Sequence, residues 1–518
     1  MSKAINPIMS GFYPDPTICA VGEDYYLVNS SFAYFPGLPI MHSKDLAHWE
    51  QIGNILDRES QLPLLKAGHS RGLFAPTLRY NNGTFYCICT NVDHGGNFIV
   101  TATSPEGPWS DPYYLEGADG IDPSLFFDDD GKCYYIGTHE NPEGAKYNGD
   151  WYIWIQEVDI ENMKLVGPKK DVWNGALKNC IWPEGPHIYK ENGYYYIMHA
   201  EGGTGPEHAV MVCRSKDIWG PYVGNPKNPI LTHRHLGADY PIKYVGHCDI
   251  IQTPKGEWYM TMLAVRPLER FTTMGRETFL AKFIWEEDWP VVNPGVGMLT
   301  ETVDIDLPDW DPKADSSSYT SRTKGNTCEP GSNRTYDFTS KEKLGDEFLF
   351  LRNPDFSMYS LDNNGLSLRC LPATIKEEES PAFIAIRQQH HSFEVAAKVD
   401  VSGVSAGSEA GLVLIQNNLY NFKVVADSAK AVAVITKDGE DTVLGEVAVC
   451  GEVNLSIKVQ GLKASAIVDG KVIGEADVRT LSTEVAGGFV GCCVGVYASA
   501  NGKTSDDKAV FKSLSYNA

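Results

Sequence analysis

The sequence is poor in basic residues relative to acidic ones. It contains 44 lysines and arginines against 67 aspartates and glutamates, so its formal net charge at pH 7 is −23. Nucleic acids and anionic membrane surfaces attract proteins through basic patches, and this balance argues against either as the main partner. A neutral ligand is not repelled by such a surface and remains compatible with the charge.

Long hydrophobic runs and targeting signals are also lacking. No stretch of about 18 apolar residues predicts a membrane span, and the N-terminal residues 1–16 lack the apolar core of a signal peptide. The 12 cysteines show no zinc-ligand spacing, and most lie in strand-like apolar runs. We therefore expect reduced, buried thiols and a cytoplasmic location, in a bacterial cell.

Helical periodicity is nearly absent from the first 300 residues, where a strand–turn–strand pattern repeats instead. Five segments pair a short apolar strand with an aromatic-led strand across a glycine-containing turn, which is hairpin chemistry. Each second strand carries an anchor tyrosine, and successive anchors are 48 to 63 residues apart, a spacing typical of propeller blades. The segments are DPTICAVGEDYYLV (15–28), APTLRYNNGTFYCI (75–88), DPSLFFDDDGKCYYI (122–136), EGPHIYKENGYYYI (184–197) and HCDIIQTPKGEWYM (247–260), with anchors Tyr26, Tyr86, Tyr134, Tyr196 and Tyr259.

The composition changes after the fifth repeat. Residues 306–335 are rich in Ser, Pro, Asp and Gly and have no period, as in a linker. Nine alternating strand-like segments follow, which is typical of a β-sandwich. We therefore predict an all-β chain with a five-bladed β-propeller over 1–305, a linker over 306–345 and a β-sandwich over 346–518.

Acidic residues open three of the five repeats. The first residues of the segments are Asp15, Ala75, Asp122, Glu184 and His247, and the innermost strands of a propeller line its central channel. Each acid alone could be a turn residue, since Asp before Pro is common in turns. Three carboxylates at one axis would shift each other's pKa values, and this favours a catalytic cluster.

Glycoside hydrolysis is a reaction that needs such carboxylates. One carboxylic acid protonates the leaving oxygen, and one carboxylate activates water or attacks directly. Two alternatives stay open here. A non-catalytic carbohydrate-binding propeller and sandwich would need no proton donor beside a like charge, and a scaffold for protein partners would carry its binding residues on the blade rims.

The chain resembles glycoside hydrolase family 43, the five-bladed propellers that cleave xylosides and arabinosides. The likeness is strongest to β-xylosidase and α-L-arabinofuranosidase members whose C-terminal β-sandwich is concanavalin-like. It rests on five stretches in order: NPIMSGFYPDPTI (6–18), FPGLPIMHSKDLAHW (35–49), GIDPSLFFDDDGKCYY (120–135), EGPHIYKENGYYYIMHAEGGT (184–204) and GRETFL (275–280).

The resemblance implies an inverting mechanism with assigned roles. Asp15 would be the general base that activates water, Glu184 the general acid, and Asp122 the residue that tunes and orients Glu184. Arg276 would contact substrate hydroxyls. His247 would lie near a candidate calcium ion in the propeller channel, and the chemistry itself would require no cofactor.

Aromatic residues complete the predicted pocket. Phe32, in the loop 30–37, is the expected sugar contact, and Tyr497 in VYASANG (496–502) is the candidate from the sandwich. Xylosidase-type relatives tend to read WAPH where this chain reads Phe74-Ala75-Pro76-Thr77, which shifts the expectation towards arabinofuranosidase or mixed activity. A closed pocket favours exo action. We therefore predict release of terminal arabinofuranosyl and/or xylosyl residues from arabinoxylan- or xylan-derived oligosaccharides, and leave a homo-oligomer open.

Overall fold

Five antiparallel sheets of four strands form a ring. The computed structural model describes residues 2–312, 333–340 and 343–518, and its first domain is the predicted five-bladed propeller. The strands are, in blade 1, Thr17–Val21, Asp24–Val28, Gly37–Ser43 and Glu50–Leu56; in blade 2, Thr77–Asn81, Thr84–Asn91, Gly96–Ala102 and Tyr113–Tyr114; in blade 3, Ile121–Phe127, Cys133–Glu140, Trp151–Asp159 and Lys164–Trp173; in blade 4, Glu184–Glu191, Tyr194–Glu201, Ala209–Ser215 and Val223–Gly224; in blade 5, Lys243–Gln252, Trp258–Val265, Glu277–Glu286 and Trp289–Val292.

The first strand of each blade is the innermost one. First strands of neighbouring blades contact each other, and Lys243–Gln252 of blade 5 meets Thr17–Val21 of blade 1 to close the ring. The N-terminal strand Ser2–Ile5 pairs antiparallel with Thr302–Ile305 just after blade 5, and so ties the two ends of the propeller together.

Local turn chemistry explains why the repeats fold as hairpins. Asn82 and Gly83 both adopt positive φ angles (48° and 87°), as do Asn192 and Gly193 (50° and 72°). Two consecutive left-handed residues form the turn that matches the twist of paired strands, and Asn-Gly is the pair that tolerates it best. The aromatic-led strands then bury their rings between blades.

The second domain is a β-sandwich of two eight-stranded sheets, as predicted in class. One sheet contains Arg334–Asp337, Tyr359–Asp362, Gly365–Arg369, Ser392–Asp400, Glu452–Gln460, Lys463–Val468, Lys471–Asp477 and Lys508–Asn517. The other contains Tyr34–Phe35, Leu349–Leu351, Ala382–Arg387, Glu409–Asn417, Tyr420–Ala426, Lys430–Lys437, Glu440–Ala448 and Cys493–Ser499. Its helices are the short 3₁₀ turns Phe356–Met358 and Val478–Leu481 and the α-helical turn Thr483–Ala486.

The two domains share a sheet. Tyr34–Phe35 belongs to a propeller loop, yet it pairs with Leu349–Leu351 as the edge strand of a sandwich sheet. One continuous buried apolar cluster also runs from the sandwich core into blades 1 and 2. The sandwich is therefore anchored beside the start of the propeller, where residues 30–37 lie.

The predicted linker, 306–345, is only partly a connection. Residues 313–332 and 341–342 lie outside the described residues. Arg334–Asp337 pairs with Lys508–Asn517 and is a strand of the sandwich. Among the described residues, the sandwich therefore includes one strand that precedes the predicted start at residue 346.

Membrane-spanning helices and the burial of cysteine side chains were both addressed by the sequence. In the part of the chain that the structure describes, no helix is long and apolar enough to cross a membrane. The described cysteines are free thiols, and all of them except Cys450 are buried.

Candidate active site

A narrow cavity opens where the propeller axis meets a loop of the sandwich. Its volume is about 100 Å³, and carboxylates, an arginine and aromatic rings share its wall. Seven of the eight residues predicted for the site line it. The wall consists of Asp15, Phe32, Phe74, Ala75, Ile121, Asp122, Glu184, Thr204, His247, Arg276 and Phe489.

Strained backbone at the start of the innermost strands turns side chains into this cavity. Asp15, Asp122 and His247 have φ angles of 50°, 54° and 53°, a left-handed conformation that residues other than glycine rarely adopt. The strand pairing is interrupted around Asp122 and His247 by register shifts. A bulge of this kind breaks the alternation of side chains and re-aims one of them, which is why such features concentrate at functional sites.

Strand register corrects the predicted alignment of Glu184. The anchors Tyr26 and Tyr134 pair with Cys19 and Phe126, each four residues after Asp15 or Asp122. In blade 4 the anchor Tyr196 pairs with Tyr189, and the residue four positions earlier is Gly185.

Gly185 therefore holds the position that Asp15 and Asp122 hold in their blades, and its φ is 58°. Glu184 comes one residue earlier, in register with Phe74 of blade 2. A repeat match based on sequence spacing alone is wrong by one residue here, because the blade hairpins differ in length. The longer Glu side chain still reaches the same cavity.

Asp15 is held in its ionised form. It is 4% exposed; Arg276 Nη1 donates to its Oδ1 at 2.5 Å, and Ser30 Oγ donates to its Oδ2 at 2.6 Å. Burial by itself would raise the pKa of Asp15, but Arg276, together with His247 and the Ser30 hydrogen bond, outweighs it and lowers the pKa. A buried carboxylate kept charged can accept a proton.

Glu184 is in the opposite state. Burial raises its pKa well above the usual range for Glu, and the neighbouring charges of Asp122 and Asp15 raise it further, while Arg276 acts in the other direction. A carboxyl group whose pKa is raised in this way keeps its proton to a higher pH than an ordinary Glu does and can donate it.

Asp122 stands between these two groups. Burial and the nearby Asp15 raise its pKa, and His247 and Arg276 partly offset them. Its Oδ2 also accepts a hydrogen bond from the backbone N–H of Gly185 at 3.0 Å, which favours the ionised form. Because Gly185 follows Glu184 directly, this bond ties Asp122 to the peptide that carries the acid.

Arg276 lies just before the third strand of blade 5 and bridges the domains. Its Nη1 contacts Asp15, and its Nη2 donates to the backbone carbonyl of Phe489, a sandwich residue, at 3.3 Å. Its Nε is buried and has no hydrogen-bond partner among the described residues. A buried donor without a partner is costly, and a ligand hydroxyl would satisfy it.

Three phenylalanine rings form the apolar wall. The ring centroids of Phe32 and Phe74 are 5.4 Å apart, and Phe489 lies 6.2 Å from each of them. The contribution of Phe32 and Phe74 was predicted. Phe489 was missed, although an aromatic residue within GGFVG (487–491) is a recognisable loop signal.

Tyr497 does not reach the cavity. It is 0% exposed, lies within the strand Cys493–Ser499, and its hydroxyl accepts a hydrogen bond from the backbone N–H of Ile375 at 3.3 Å. The prediction for Tyr497 is therefore corrected: its ring packs in the sandwich core, and the sandwich side chain at the cavity is Phe489.

A larger cavity of about 370 Å³ adjoins the first on the side of Glu184. It adds the indoles of Trp151 and Trp182 to the shared residues Glu184 and Phe489. Trp182 packs closely on Gly203, where a Cβ atom would lie 2.6 Å from the indole. Sequence reasoning did not single out either tryptophan.

No group of metal-ligating side chains that includes His247 is present among the described residues. Within residues 2–312, 333–340 and 343–518, the one group of His, Cys and acidic side chains close enough to share a metal is Asp45, His48 and Asp309. His247 is not part of it. Asp45 also already accepts hydrogen bonds from the backbone N–H groups of residues 47 and 48. Calcium beside His247 stays a prediction.

Family models match both domains. The model described as Glycosyl hydrolases family 43 matches residues 4–290. The model described as Beta xylosidase C-terminal Concanavalin A-like domain matches residues 335–517. The first match covers the propeller with all three acids, and the second covers the sandwich with Phe489.

Relatives resemble the chain over nearly its whole length. A xylosidase/arabinosidase of Butyrivibrio fibrisolvens is 50% identical over 521 residues, 98% of both chains. The non-reducing end alpha-L-arabinofuranosidase BoGH43B of Bacteroides ovatus is 38% identical, over 98% of this chain and 93% of its own. The solved structure of a xylan beta-1,4-xylosidase from Bacillus halodurans C-125 matches with a TM-score of 0.89 at 33% identity, over 99% of this chain and 100% of that one.

Proposed function

The chain belongs to glycosyl hydrolase family 43, and we propose that it is an exo-acting, inverting glycosidase of xylan- and arabinoxylan-derived oligosaccharides. It would release terminal arabinofuranosyl and xylosyl residues. The observation that carries the proposal is the pair of oppositely tuned carboxyls on one cavity: the pKa of Asp15 is lowered and the pKa of Glu184 is raised.

The chemistry follows from these two states. Glu184 gives its proton to the glycosidic oxygen as the bond to the sugar carbon breaks. Asp15 takes a proton from a water molecule, and the water oxygen forms the new bond to that carbon from the opposite face. The two carboxyls exchange protonation states in the reaction, and solvent restores them afterwards. Asp122 would keep Glu184 protonated between turnovers.

The shape of the site supports exo action. The small cavity lies between the propeller acids and the ring of Phe489, so it suits a single terminal sugar. The larger cavity beyond Glu184 carries two tryptophans, and indole faces stack well on sugar rings. That cavity would hold the rest of the oligosaccharide as the leaving group.

The choice of sugar is supported by relatives on both sides. The Butyrivibrio relative is a xylosidase/arabinosidase, the Bacteroides relative is an alpha-L-arabinofuranosidase, and the Bacillus structure is a xylosidase. Phe74 is smaller than the tryptophan that xylosidase-type relatives tend to carry at this position, so it leaves more space at the cavity wall. We therefore propose dual activity with a preference for arabinofuranosides.

The test uses leaving groups of different quality. Wild-type and Glu184→Gln proteins are assayed on 4-nitrophenyl α-L-arabinofuranoside, 4-nitrophenyl β-D-xyloside and xylobiose. A nitrophenolate leaves without help from an acid, so we expect Glu184→Gln to lose about 10²–10⁴-fold in kcat on xylobiose and much less on the aryl glycosides. Glu161→Gln, in an exposed turn of blade 3, is the matched control.

Three results would contradict the proposal. Equal losses on all three substrates would show that Glu184 is not the proton donor. A product with retained anomeric configuration, seen by NMR in the first minutes of reaction, would exclude the inverting mechanism. A wild-type protein that binds these sugars without cleaving them would support the non-catalytic alternative.

A further inference from the structure

We propose that Ser70 is a positioning residue that fixes the sandwich loop 487–491 over the active site. The inference rests on the proposed function, because its consequence is a change in sugar binding. The loop carries Phe489, the ring through which the second domain reaches the cavity. What holds this loop in place therefore helps to define the shape of the sugar site.

The peptide groups of Phe489 are held from two sides by the propeller. Its N–H donates to Ser70 Oγ at 2.8 Å, and its carbonyl accepts from Arg276 Nη2 at 3.3 Å. Arg276 in turn donates to Asp15. A chain of hydrogen bonds thus runs from Ser70 through the sandwich loop to the carboxylate that would activate water.

The loop is closely fitted on the Arg276 side. A Cβ atom on Gly491 would lie 2.2 Å from the carbonyl oxygen of Met274, and the N–H of Cys492 donates to Thr273 at 2.8 Å. Backbone packing therefore fixes the end of the loop. Any side chain at position 491 would collide with this backbone.

The Ser70 side of the loop is different, because a side chain makes the contact. Gly488 has φ 82°, and a Cβ atom there would lie 2.3 Å from Ser70 Oγ. The serine hydroxyl thus occupies the space that a larger residue at 488 would need. Removing the hydroxyl would leave a gap beside Gly488, and the backbone N–H of Phe489 would lose its hydrogen-bond acceptor.

Ser70 is itself firmly placed. Its segment continues into Leu73, whose N–H and carbonyl exchange hydrogen bonds with Phe32 at 3.1 and 3.0 Å. Phe32 and Phe489 face each other with nearly parallel rings. Ser70 therefore ties the Phe489 loop to the same piece of backbone that carries the opposite aromatic wall.

The effect should appear in substrate binding rather than in folding. Phe489 is 40% exposed, and the bond to Ser70 lies at the surface, so its loss costs the fold little. A displaced ring would loosen the wall around the bound sugar. We expect Ser70→Ala to lower kcat/KM for 4-nitrophenyl α-L-arabinofuranoside about three- to tenfold, mainly through a higher KM.

A double-mutant cycle with Phe489→Ala tests whether Ser70 acts through the loop. If it does, Ser70→Ala should cost less than about twofold once the ring is absent, because coupled residues are not additive. Ser60→Ala removes a comparable exposed serine hydrogen bond, to Asp111, and serves as the matched control with unchanged kinetics.

Three outcomes would overturn the inference. They are wild-type kinetics in Ser70→Ala, a fall in kcat at constant KM, and the same fold loss in the Phe489→Ala background. Each would leave the proposed function standing as long as the wild-type protein cleaves the arabinofuranoside. Absence of that cleavage would instead count against the proposed function itself.

Discussion

The inner ends of blades 1 and 4 are built alike and behave in opposite ways. Both place a carboxyl group at the start of an innermost strand, and both carboxyls are buried on one cavity. Asp15 receives two strong hydrogen bonds, one from a guanidinium and one from a hydroxyl. Glu184 instead lies near two other carboxyl groups.

Burial alone therefore does not decide the protonation state of these carboxyl groups. Burial raises the pKa of both groups, and it is the largest single influence on each. Donors around Asp15 outweigh it, whereas like charges around Glu184 add to it. The propeller thus makes a base and an acid on one cavity, from neighbouring rather than identical register positions, and the groups around each carboxyl decide which it becomes.

Neutralising the carboxyl group of Asp15 in blade 1 should have the largest effect. Asp15→Asn keeps the shape but cannot accept a proton, and it leaves Arg276 without its charged partner. We expect kcat to fall about 10²–10⁴-fold on every substrate, aryl glycosides included. Azide offered as an external nucleophile should restore part of the turnover on the aryl arabinofuranoside.

Comparing Asp15→Asn with Glu184→Gln separates the general base from the general acid. The loss in Asp15→Asn should not depend on the leaving group, because water attack is needed in every case. A loss in Asp15→Asn that vanished for nitrophenyl glycosides would mean that the two roles are exchanged. Glu161→Gln, in an exposed turn of blade 3, again provides the control for folding.

A milder change acts on the blade 4 side. Asp122→Asn removes one of the like charges that raise the pKa of Glu184, so that pKa falls. Activity needs protonated Glu184 and is lost as pH rises through its pKa, so the alkaline limb of the pH–kcat/KM profile should move to lower pH. Burial persists, so we expect a shift of about one pH unit with about a tenfold loss at the optimum.

The acid limb is the internal control for this variant. It reports Asp15, whose pKa is set mainly by burial and Arg276, and should move much less. An alkaline limb that stays in place, measured with xylobiose between pH 4 and 9, would contradict the tuning role of Asp122. A shift to higher pH would contradict it as well.

Much of the fold was predictable because it is encoded locally. Each blade repeats a hairpin with its own turn residues. Asn-Gly pairs such as Asn82-Gly83 predict the position and type of the turn from two residues. The strand register within a blade was harder to predict from the sequence. The one-residue offset of Glu184 arises from bulges and from unequal hairpins, and strand periodicity does not record either of them.

Contacts between the domains were the least predictable part. Phe489, rather than Tyr497, reaches the cavity because of how the sandwich seats on blades 1 and 2, and no local pattern carries that information. Tyr34–Phe35 likewise looked like a pocket loop and is also an edge strand of the sandwich. Such pairings join residues hundreds of positions apart, so only the assembled fold reveals them.

The smallest expected effect comes from removing the Ser30 hydroxyl, which contacts Asp15 in blade 1. Ser30→Ala removes a hydrogen bond to the ionised form of Asp15 and leaves the Arg276 contact in place. The pKa of Asp15 should therefore rise. Because activity is lost as pH falls through that pKa, the acid limb should move to higher pH by up to about one unit. The alkaline limb, which reports Glu184, should stay where it is. An unmoved acid limb would mean that Arg276 and His247 keep Asp15 charged without the hydroxyl, and the contrast between the two blades would then rest on these two residues.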